Sequence, residues 1–189
     1  GTGGYASAPL VRVASTRNIP CVIQEQNSYA GITNKLLSKR ADKICVAFDG
    51  MEKFFPKSKL VHTGNPVRRD IVSIDINQAK ARASFGLNPN RKTLLVLGGS
   101  LGAKKINELV KNNLELFEEL ELQVLWQCGA YYIDEYKELE TDKVQVRAYI
   151  SEMPSAYAAA DVIISRAGAL SISELCLVGK PSVFIPSPN

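Results

Sequence analysis

Short runs of apolar and β-branched residues alternate along this chain with segments in which apolar residues recur at helical spacing. Strand, helix and strand joined by short turns form parallel βαβ units, whose strands are covered on both faces. The pattern therefore predicts an α/β fold with parallel sheets, which binds ligands at the carboxyl ends of its strands. Eight strands are predicted, at residues 21–24, 43–48, 60–63, 93–97, 123–127, 144–148, 162–165 and 182–185.

The helices are predicted from the same periodicity. Apolar residues recur at intervals of three and four from Ile106 to Leu120, which predicts one long helix. The segment Gly1-Thr2-Gly3-Gly4 reads as a loop. Shorter helices are predicted at residues 31–37, 78–85, 153–160 and 170–178.

A break in the pattern predicts two domains. The turn Gly64-Asn65-Pro66 is followed by polar and mixed sequence up to Asn90, before a strong strand begins at Thr93. We therefore place a boundary near residue 70, between domains of residues 1–70 and 71–189. The abrupt sequence at both ends leads us to expect the truncated central portion of a longer protein.

Charge and hydropathy exclude some functions. The chain has 23 Lys and Arg against 19 Asp and Glu, a net charge of +4. An excess this small does not predict a nucleic-acid-binding surface, because that would require clustered basic residues. No apolar run approaches the roughly 18 residues that a membrane-spanning helix needs. The sequence predicts a globular chain without nucleic acid as its partner.

A glycine-rich turn is the most informative local pattern. The segment Gly98-Gly99-Ser100-Leu101-Gly102 follows an apolar strand and leads into the long helix. Unpaired backbone N–H groups and the positive end of the helix dipole converge at such a point, which favours an anion. The pattern fits neither the Walker loop nor the dinucleotide-binding fingerprint. A tight turn without a ligand is the alternative interpretation.

A second strand-to-helix turn, at residues 165–175, leads through Gly168 to Glu174. The carboxylate of Glu174 could accept hydrogen bonds from a ribose diol. Alternatively, Ser171 and Glu174 could form a capping box at the helix start.

Other polar residues stand where ligands could bind. The run from Gln24 to Asn27 closes the first strand, where it could hold sugar hydroxyls or be a plain polar loop. Arg68 and Arg69 follow the Asn-Pro turn, and an arginine there could face a diphosphate. No catalytic triad, metal-ligand cluster or acid/base carboxylate pair is evident, so the sequence identifies no general base.

Six motifs in order carry a resemblance to a known family: GTGGYAS at 1–7, EQNSYAGITNK at 25–35, GNPVR at 64–68, GGSLGA at 98–103, SRAGALSISEL at 165–175 and GKP at 179–181. The chain resembles the peptidoglycan enzymes of glycosyltransferase family 28. These transfer N-acetylglucosamine (GlcNAc) from UDP-GlcNAc to the undecaprenyl-linked acceptor lipid I and so form lipid II. The resemblance therefore implies a role in cell wall biogenesis, and through it in cell shape and division.

The resemblance implies a GT-B fold of two Rossmann-like domains, with inverting transfer that needs no metal or other cofactor. Residues 1–70 would be the latter part of the acceptor domain, which faces the membrane, and residues 71–189 most of the UDP-GlcNAc-binding domain. The implied phosphate loop is Gly98, Gly99 and Gly102. The implied substrate-binding residues are Asn27 and Arg68 for the donor and its diphosphate, Ser100 near the phosphates, Ile150 at the uracil, and Ala169, Leu170, Ser171, Ile172, Ser173 and Glu174 around the nucleotide sugar.

The family's acceptor domain meets the cytoplasmic face of the cell membrane as a peripheral protein. Here Lys39, Arg40, Lys43, the Lys53-Phe54-Phe55 run and residues 57–59 could contribute to such a surface.

The chain departs from the family pattern in three ways. An earlier glycine-rich loop with a histidine and the glutamines after the GKP strand are not among these residues, and Gln24 replaces a histidine of many relatives. We therefore expect the isolated chain to be inactive. Two alternatives stay open, a UDP-sugar epimerase of the same architecture and a non-catalytic nucleotide-sugar-binding module.

Overall fold

The computed structural model describes residues 1–187. They form two compact units, Gly1–Pro66 (the first unit) and a second unit that begins at Val67. The division falls slightly before residue 70, where the sequence places the domain boundary. The acceptor and donor roles of the two units stay predictions.

The first unit contains a parallel sheet of three strands in the order β1-β2-β3. Its strands are β1 (Val22–Glu25), β2 (Lys43–Val46) and β3 (Leu60–His62), and its helices are α1 (Gly4–Thr16) and α2 (Ile32–Leu37), with 3-10 turns at Met51–Lys53 and Lys57–Lys59.

Helix α1 was not predicted from the sequence, although the loop expected at residues 1–4 is present at its first three residues. Only the first three residues are irregular, and the helix begins at Gly4. Its sequence conceals this helix because glycines and Pro9 interrupt the apolar pattern. The apolar residues Val11 and Ala14 nevertheless pack against the core of the first unit, and this packing outweighs the poor local propensity.

A buried carboxylate organises the loop that follows β1. Glu25 is only 3% exposed. It accepts hydrogen bonds from the backbone and side-chain amides of Asn27, at 3.0 and 3.2 Å, from the Gly31 N–H at 2.9 Å and from the Asn34 side chain at 3.0 Å. Burial alone would raise the pKa of Glu25, but these hydrogen bonds outweigh it and hold the pKa below the ordinary 4.5.

Replacing Glu25 with Gln should destabilise the first unit by about 3 kcal/mol at pH 7, because an amide group would face several N–H donors. Native-state hydrogen exchange of β1 amides would measure this loss, with Glu52→Gln, an exposed site in the same unit, as the control.

The loss of stability caused by Glu25→Gln should also depend on pH. The folded-state pKa of Glu25 lies below its unfolded value, so its contribution is complete above about pH 4.5 and is lost as the pH falls through the folded-state pKa. The difference between wild type and Glu25→Gln should therefore shrink in acid. A difference in stability that stays constant down to pH 3 would contradict the view that Glu25 is ionised when it accepts these hydrogen bonds.

The second unit contains a parallel sheet of five strands in the order β6-β5-β4-β7-β8. The strands are β4 (Thr93–Leu97), β5 (Gln123–Gln127), β6 (Val144–Arg147), β7 (Val162–Arg166) and β8 (Ser182–Ile185). All eight predicted strands of the chain are thus present, with ends within two residues of those expected. The structure confirms the predicted α/β class with parallel sheets.

Helices cover both faces of this sheet. They are α3 (Arg69–Val72), α4 (Gln78–Ser84), α5 (Lys104–Asn112), α6 (Leu114–Glu119), α7 (Ile133–Tyr136), α8 (Met153–Ala159) and α9 (Ala169–Val178), with a 3-10 turn at Lys137–Leu139. Neighbouring residues of β4 point to opposite faces, so Leu95 joins a core with Tyr157 of α8 and Leu175 of α9, whereas Val96 joins a core with Ile106 of α5.

Asp161 connects the starts of the neighbouring strands β4 and β7. Its carboxylate accepts the Thr93 N–H at 2.7 Å and an Arg82 guanidinium N–H at 2.7 Å. Its own N–H donates to the Thr93 carbonyl at 2.8 Å. Arg82 Nε and Nη1 donate to the carbonyls of Ala159 and Pro89, so each nitrogen of the buried guanidinium has a partner.

The single long helix predicted across residues 106–120 is wrong. The chain forms α5 and α6 instead, which are separated at Asn113. The Asn113 side chain donates to the Leu109 carbonyl at 2.8 Å, an interaction that competes with a continuous helix. Within residues 1–187, no helix combines the length and the hydropathy required to cross a membrane.

Candidate functional site

A cavity of about 290 Å³ lies at the carboxyl ends of the strands in the second unit. Larger hollows, of about 440 and 490 Å³, lie near the amino ends of β4 and β5 and between α1 and α2. Of these three cavities, the smaller one lies at the edge at which parallel sheets bind ligands. Its lining consists of Arg68, Leu97, Gly99, Gln127, Tyr149, Ile150, Met153, Tyr157, Ser165, Arg166, Ser171 and Glu174.

The glycine turn after β4 forms one wall of this cavity. Gly99 has φ of 87° and open space where a side chain would project, so its backbone is accessible to a ligand. Gly102 has φ of 95° and packs on the backbone of Gly129. A Cβ at position 102 would overlap the Cys128 carbonyl oxygen and lie 2.5 Å from the Tyr132 ring. Gly102 is thus required for packing, whereas Gly99 faces the cavity.

Substituting Gly102 with Ala should cost at least about 3 kcal/mol, because left-handed backbone strain adds to a steric overlap. Gly99→Ala is the matched control and should cost about 1–2 kcal/mol, from backbone strain alone. Urea unfolding followed by fluorescence of Trp126, the chain's single tryptophan, measures both values. Equal costs at the two positions would contradict the packing role of Gly102.

Two helix N-termini start from strand-to-helix turns of this sheet. Helix α5 begins after Ala103 and α9 after Gly168, and neither position supplies a side-chain cap. The alternative of a capping box at Ser171 and Glu174 is therefore wrong, because α9 begins at Ala169 and places Ser171 inside its first turn. Helix N-termini without side-chain caps favour anions through their amides and the helix dipole.

Glu174 carries a carboxylate into the cavity from α9. The Tyr157 hydroxyl, on α8, donates to Glu174 Oε2 at 3.0 Å. Burial and the neighbouring charge of Glu174 raise the pKa of Tyr157 far above its ordinary value, although Arg68 partly opposes this. The phenol therefore keeps its proton and remains a donor.

Arg68 brings positive charge to the same cavity. It lies at the start of α3 and forms a fork-like ion pair with Asp70, in which Nε donates to Oδ1 at 3.1 Å and Nη2 contacts Oδ2. This hydrogen bonding raises the pKa of Arg68 and lowers that of Asp70. Both side chains are about half exposed, so an anion that enters the cavity can reach the guanidinium.

Ile150 follows β6, and its N–H is already engaged. It donates to Gln127 Oε1 at 2.8 Å in a buried hydrogen bond. A ligand that approaches Ile150 could therefore donate a hydrogen bond to the Ile150 carbonyl oxygen without disturbing this bond.

The structure brings part of the expected site together. Arg68, Gly99, Ile150, Ser171 and Glu174 line the cavity. The other expected residues of the second unit belong to the same two turns or to α9 but do not line it: Gly98, Ser100, Gly102, Ala169, Leu170, Ile172 and Ser173.

Asn27, the remaining expected residue, belongs to the first unit. It is exposed, and both its backbone and side-chain amides donate to Glu25. The hydrogen bonds to Glu25 thus partly explain why polar residues follow the first strand.

Sequence reasoning missed several residues of the cavity, among them Gln127, Tyr149, Tyr157 and Arg166. Gln127 and Arg166 end their strands and could have been found from that position alone. Tyr157 has no such signal, because it lies within an apolar helix. Among residues 1–187, no group of three or more His, Cys, Asp or Glu side chains is arranged to hold a metal ion.

The fold defines an α/β protein with parallel sheets and a cavity at its strand ends, and the comparisons with known proteins identify its family. The C-terminal domain of glycosyltransferase family 28 matches residues 93–189, and the N-terminal domain of that family matches residues 1–46. The chain belongs to glycosyltransferase family 28.

Two curated relatives carry the name UDP-N-acetylglucosamine–N-acetylmuramyl-(pentapeptide) pyrophosphoryl-undecaprenol N-acetylglucosamine transferase. The protein of Flavobacterium psychrophilum is 53% identical and that of Parabacteroides distasonis 54% identical, each over the whole of this chain and 52% of the relative. The chain thus spans about half the length of the curated relatives it matches.

Solved structures agree with this assignment. The crystal structure of Acinetobacter baumannii MurG matches all of this chain and 52% of its own, with a TM-score of 0.68 and 35% identity. The glycotransferase of kitacinnamycin matches 97% of this chain and 56% of its own, with a TM-score of 0.61. At 16% identity the second match shows the shared fold alone.

Proposed function

We propose that this chain carries the donor site of an inverting glycosyltransferase that transfers GlcNAc from UDP-GlcNAc to lipid I, forming lipid II in peptidoglycan synthesis. The observation that carries the proposal is the cavity at the strand ends, which gathers Arg68, Gly99, Ile150 and Glu174. The names of the relatives supply the sugar and the acceptor.

Each part of the cavity suits one part of the donor. The Ile150 carbonyl would accept from the uracil imide, and Glu174 would accept from the ribose hydroxyls. Arg68 and the turn at Gly99 would contact the diphosphate. As the bond between the sugar and the diphosphate breaks, negative charge develops on UDP, and a positioned guanidinium with backbone N–H groups stabilises it.

Replacing Arg68 or Glu174 with Ala should weaken binding of UDP-GlcNAc by about tenfold or more, since each loses a hydrogen bond to a charged group. Isothermal titration calorimetry on the intact protein that contains these residues measures the effect. The matched control is Arg69→Ala, which removes a neighbouring exposed guanidinium that does not line the cavity. Donor affinity unchanged in both variants would remove these two assignments.

The activity itself is tested with the intact protein that contains these residues. Incubation with radiolabelled UDP-GlcNAc and lipid I should place the label in an extractable lipid product. Isomerisation of the sugar without an acceptor would instead support the epimerase, and binding without either reaction would support a binding module.

We further propose that the first unit meets the cytoplasmic membrane face as a peripheral surface. The hollow between α1 and α2 is lined by apolar side chains together with Arg12 and Arg40. Leu36, on its rim, is 73% exposed. Basic side chains beside exposed apolar ones suit an anionic lipid surface.

Some residues expected at that surface have other contacts. Phe55 is 3% exposed and belongs to the core, so the expectation that it contacts lipid is wrong. Lys59 donates to the carbonyls of Lys39 and Ala41. Lys53 lies over the ring of Phe54.

Replacing Leu36 with Gln should lower the partition of the chain onto phosphatidylglycerol vesicles by about tenfold, because a leucine would no longer be buried in lipid. Co-sedimentation measures the partition. Leu120→Gln, an equally conservative change at a leucine that is 59% exposed in the second unit, should leave it unchanged. Equal losses in both variants would contradict a surface confined to α1 and α2.

A further inference from the structure

Tyr157 is buried in the core on one side of the sheet, yet its hydroxyl reaches the cavity. The side chain is 2% exposed and packs in the same cluster as Ile150 and Leu175. A ring held in this way has little freedom to rotate, because protein interiors are close-packed. Its hydroxyl is therefore a fixed donor, and the atom it meets is Glu174 Oε2.

This hydrogen bond gives the two carboxylate oxygens of Glu174 different roles. Oε2 is engaged by the phenol of Tyr157, while the carboxylate as a whole lines the cavity. A glutamate side chain has three rotatable bonds, so an untethered one would sample many orientations. With one oxygen held, the other is directed to a single region of the cavity.

We propose that Tyr157 is a positioning residue for ribose recognition: by holding Oε2 of Glu174, it orients the carboxylate so that a nucleotide's 2′,3′-diol finds its acceptor in place. This inference rests on the proposed function, since it assumes that Glu174 meets the ribose. It assigns to α8 a part in selecting the ligand.

The raised pKa of Tyr157 supports this role. Burial and the charge of Glu174 both disfavour the phenolate, so the phenol donates throughout the neutral and mildly alkaline range. Arg68 is the charged group that opposes this effect.

A second buried tyrosine provides the matched control. Tyr136 is 1% exposed and lies on the opposite face of the sheet, in the core with Trp126. Burial, followed by its hydrogen bond with Glu135, raises the pKa of Tyr136 to about 12. Tyr136 thus shares burial and a glutamate partner with Tyr157 but does not line the cavity.

The experiment compares two ligands that differ only in the diol. Calorimetric affinities for UDP and for 2′,3′-dideoxy-UDP are measured with the intact protein that contains these residues, as wild type and as the variants Tyr157→Phe, Tyr136→Phe and Glu174→Gln. We expect wild type and Tyr136→Phe to prefer UDP by about tenfold or more, and Tyr157→Phe and Glu174→Gln to lose most of that preference.

The ratio of the affinities for UDP and 2′,3′-dideoxy-UDP distinguishes a positioning role of Tyr157 from a purely structural one. A purely structural role for Tyr157 would weaken both ligands alike and leave the ratio unchanged, and this outcome would overturn the inference. If Glu174→Gln loses the preference while Tyr157→Phe keeps it, the inference fails but the ribose assignment of Glu174 stands. If wild type shows no preference, the ribose assignment itself fails, and the inference fails with it.

Discussion

The register between β4 and β7 is the constraint on which the second unit depends. Asp161 exchanges hydrogen bonds with Thr93 at the start of both strands and engages the buried guanidinium of Arg82. Because the pairing register of β4 and β7 is constant along both strands, this contact at the amino edge decides which side chains meet at the opposite edge. Leu97 and Ser165 are paired there and line the same cavity.

Much of the fold was predictable because it depends on local hydropathy. A parallel strand buried on both faces reads as a continuous apolar run, and β4 and β5 have the predicted bounds. The failures arose where burial or a side-chain hydrogen bond overrides the local hydropathy pattern. Helix α1 forms in spite of Pro9 because Val11 is buried, and Asn113 interrupts a helical period that continues in the apolar residues on both sides.

The site was only partly predictable, for a related reason. Gly99 and Glu174 belong to strand-to-helix turns, which sequence identifies through glycine and a following helical period. Tyr157 reaches Glu174 from another helix, and no spacing along the chain encodes that meeting. The helix predicted at residues 170–178 begins within one residue of α9, but Gly168 occupies the N-cap position, so a sequence typical of a capping box lies inside the helix.

The contact between Gly102 and Gly129 also affects the entropy of binding. The turn after β4 is hydrogen-bonded to the turn after β5, through the Gly98 N–H and the Gln127 carbonyl and through the Ala130 N–H and the Ser100 carbonyl. A loop anchored in this way on one side has few conformations to lose when a ligand arrives on the other. The backbone at Gly99 is therefore preorganised, and the loop loses little conformational entropy when an anion binds.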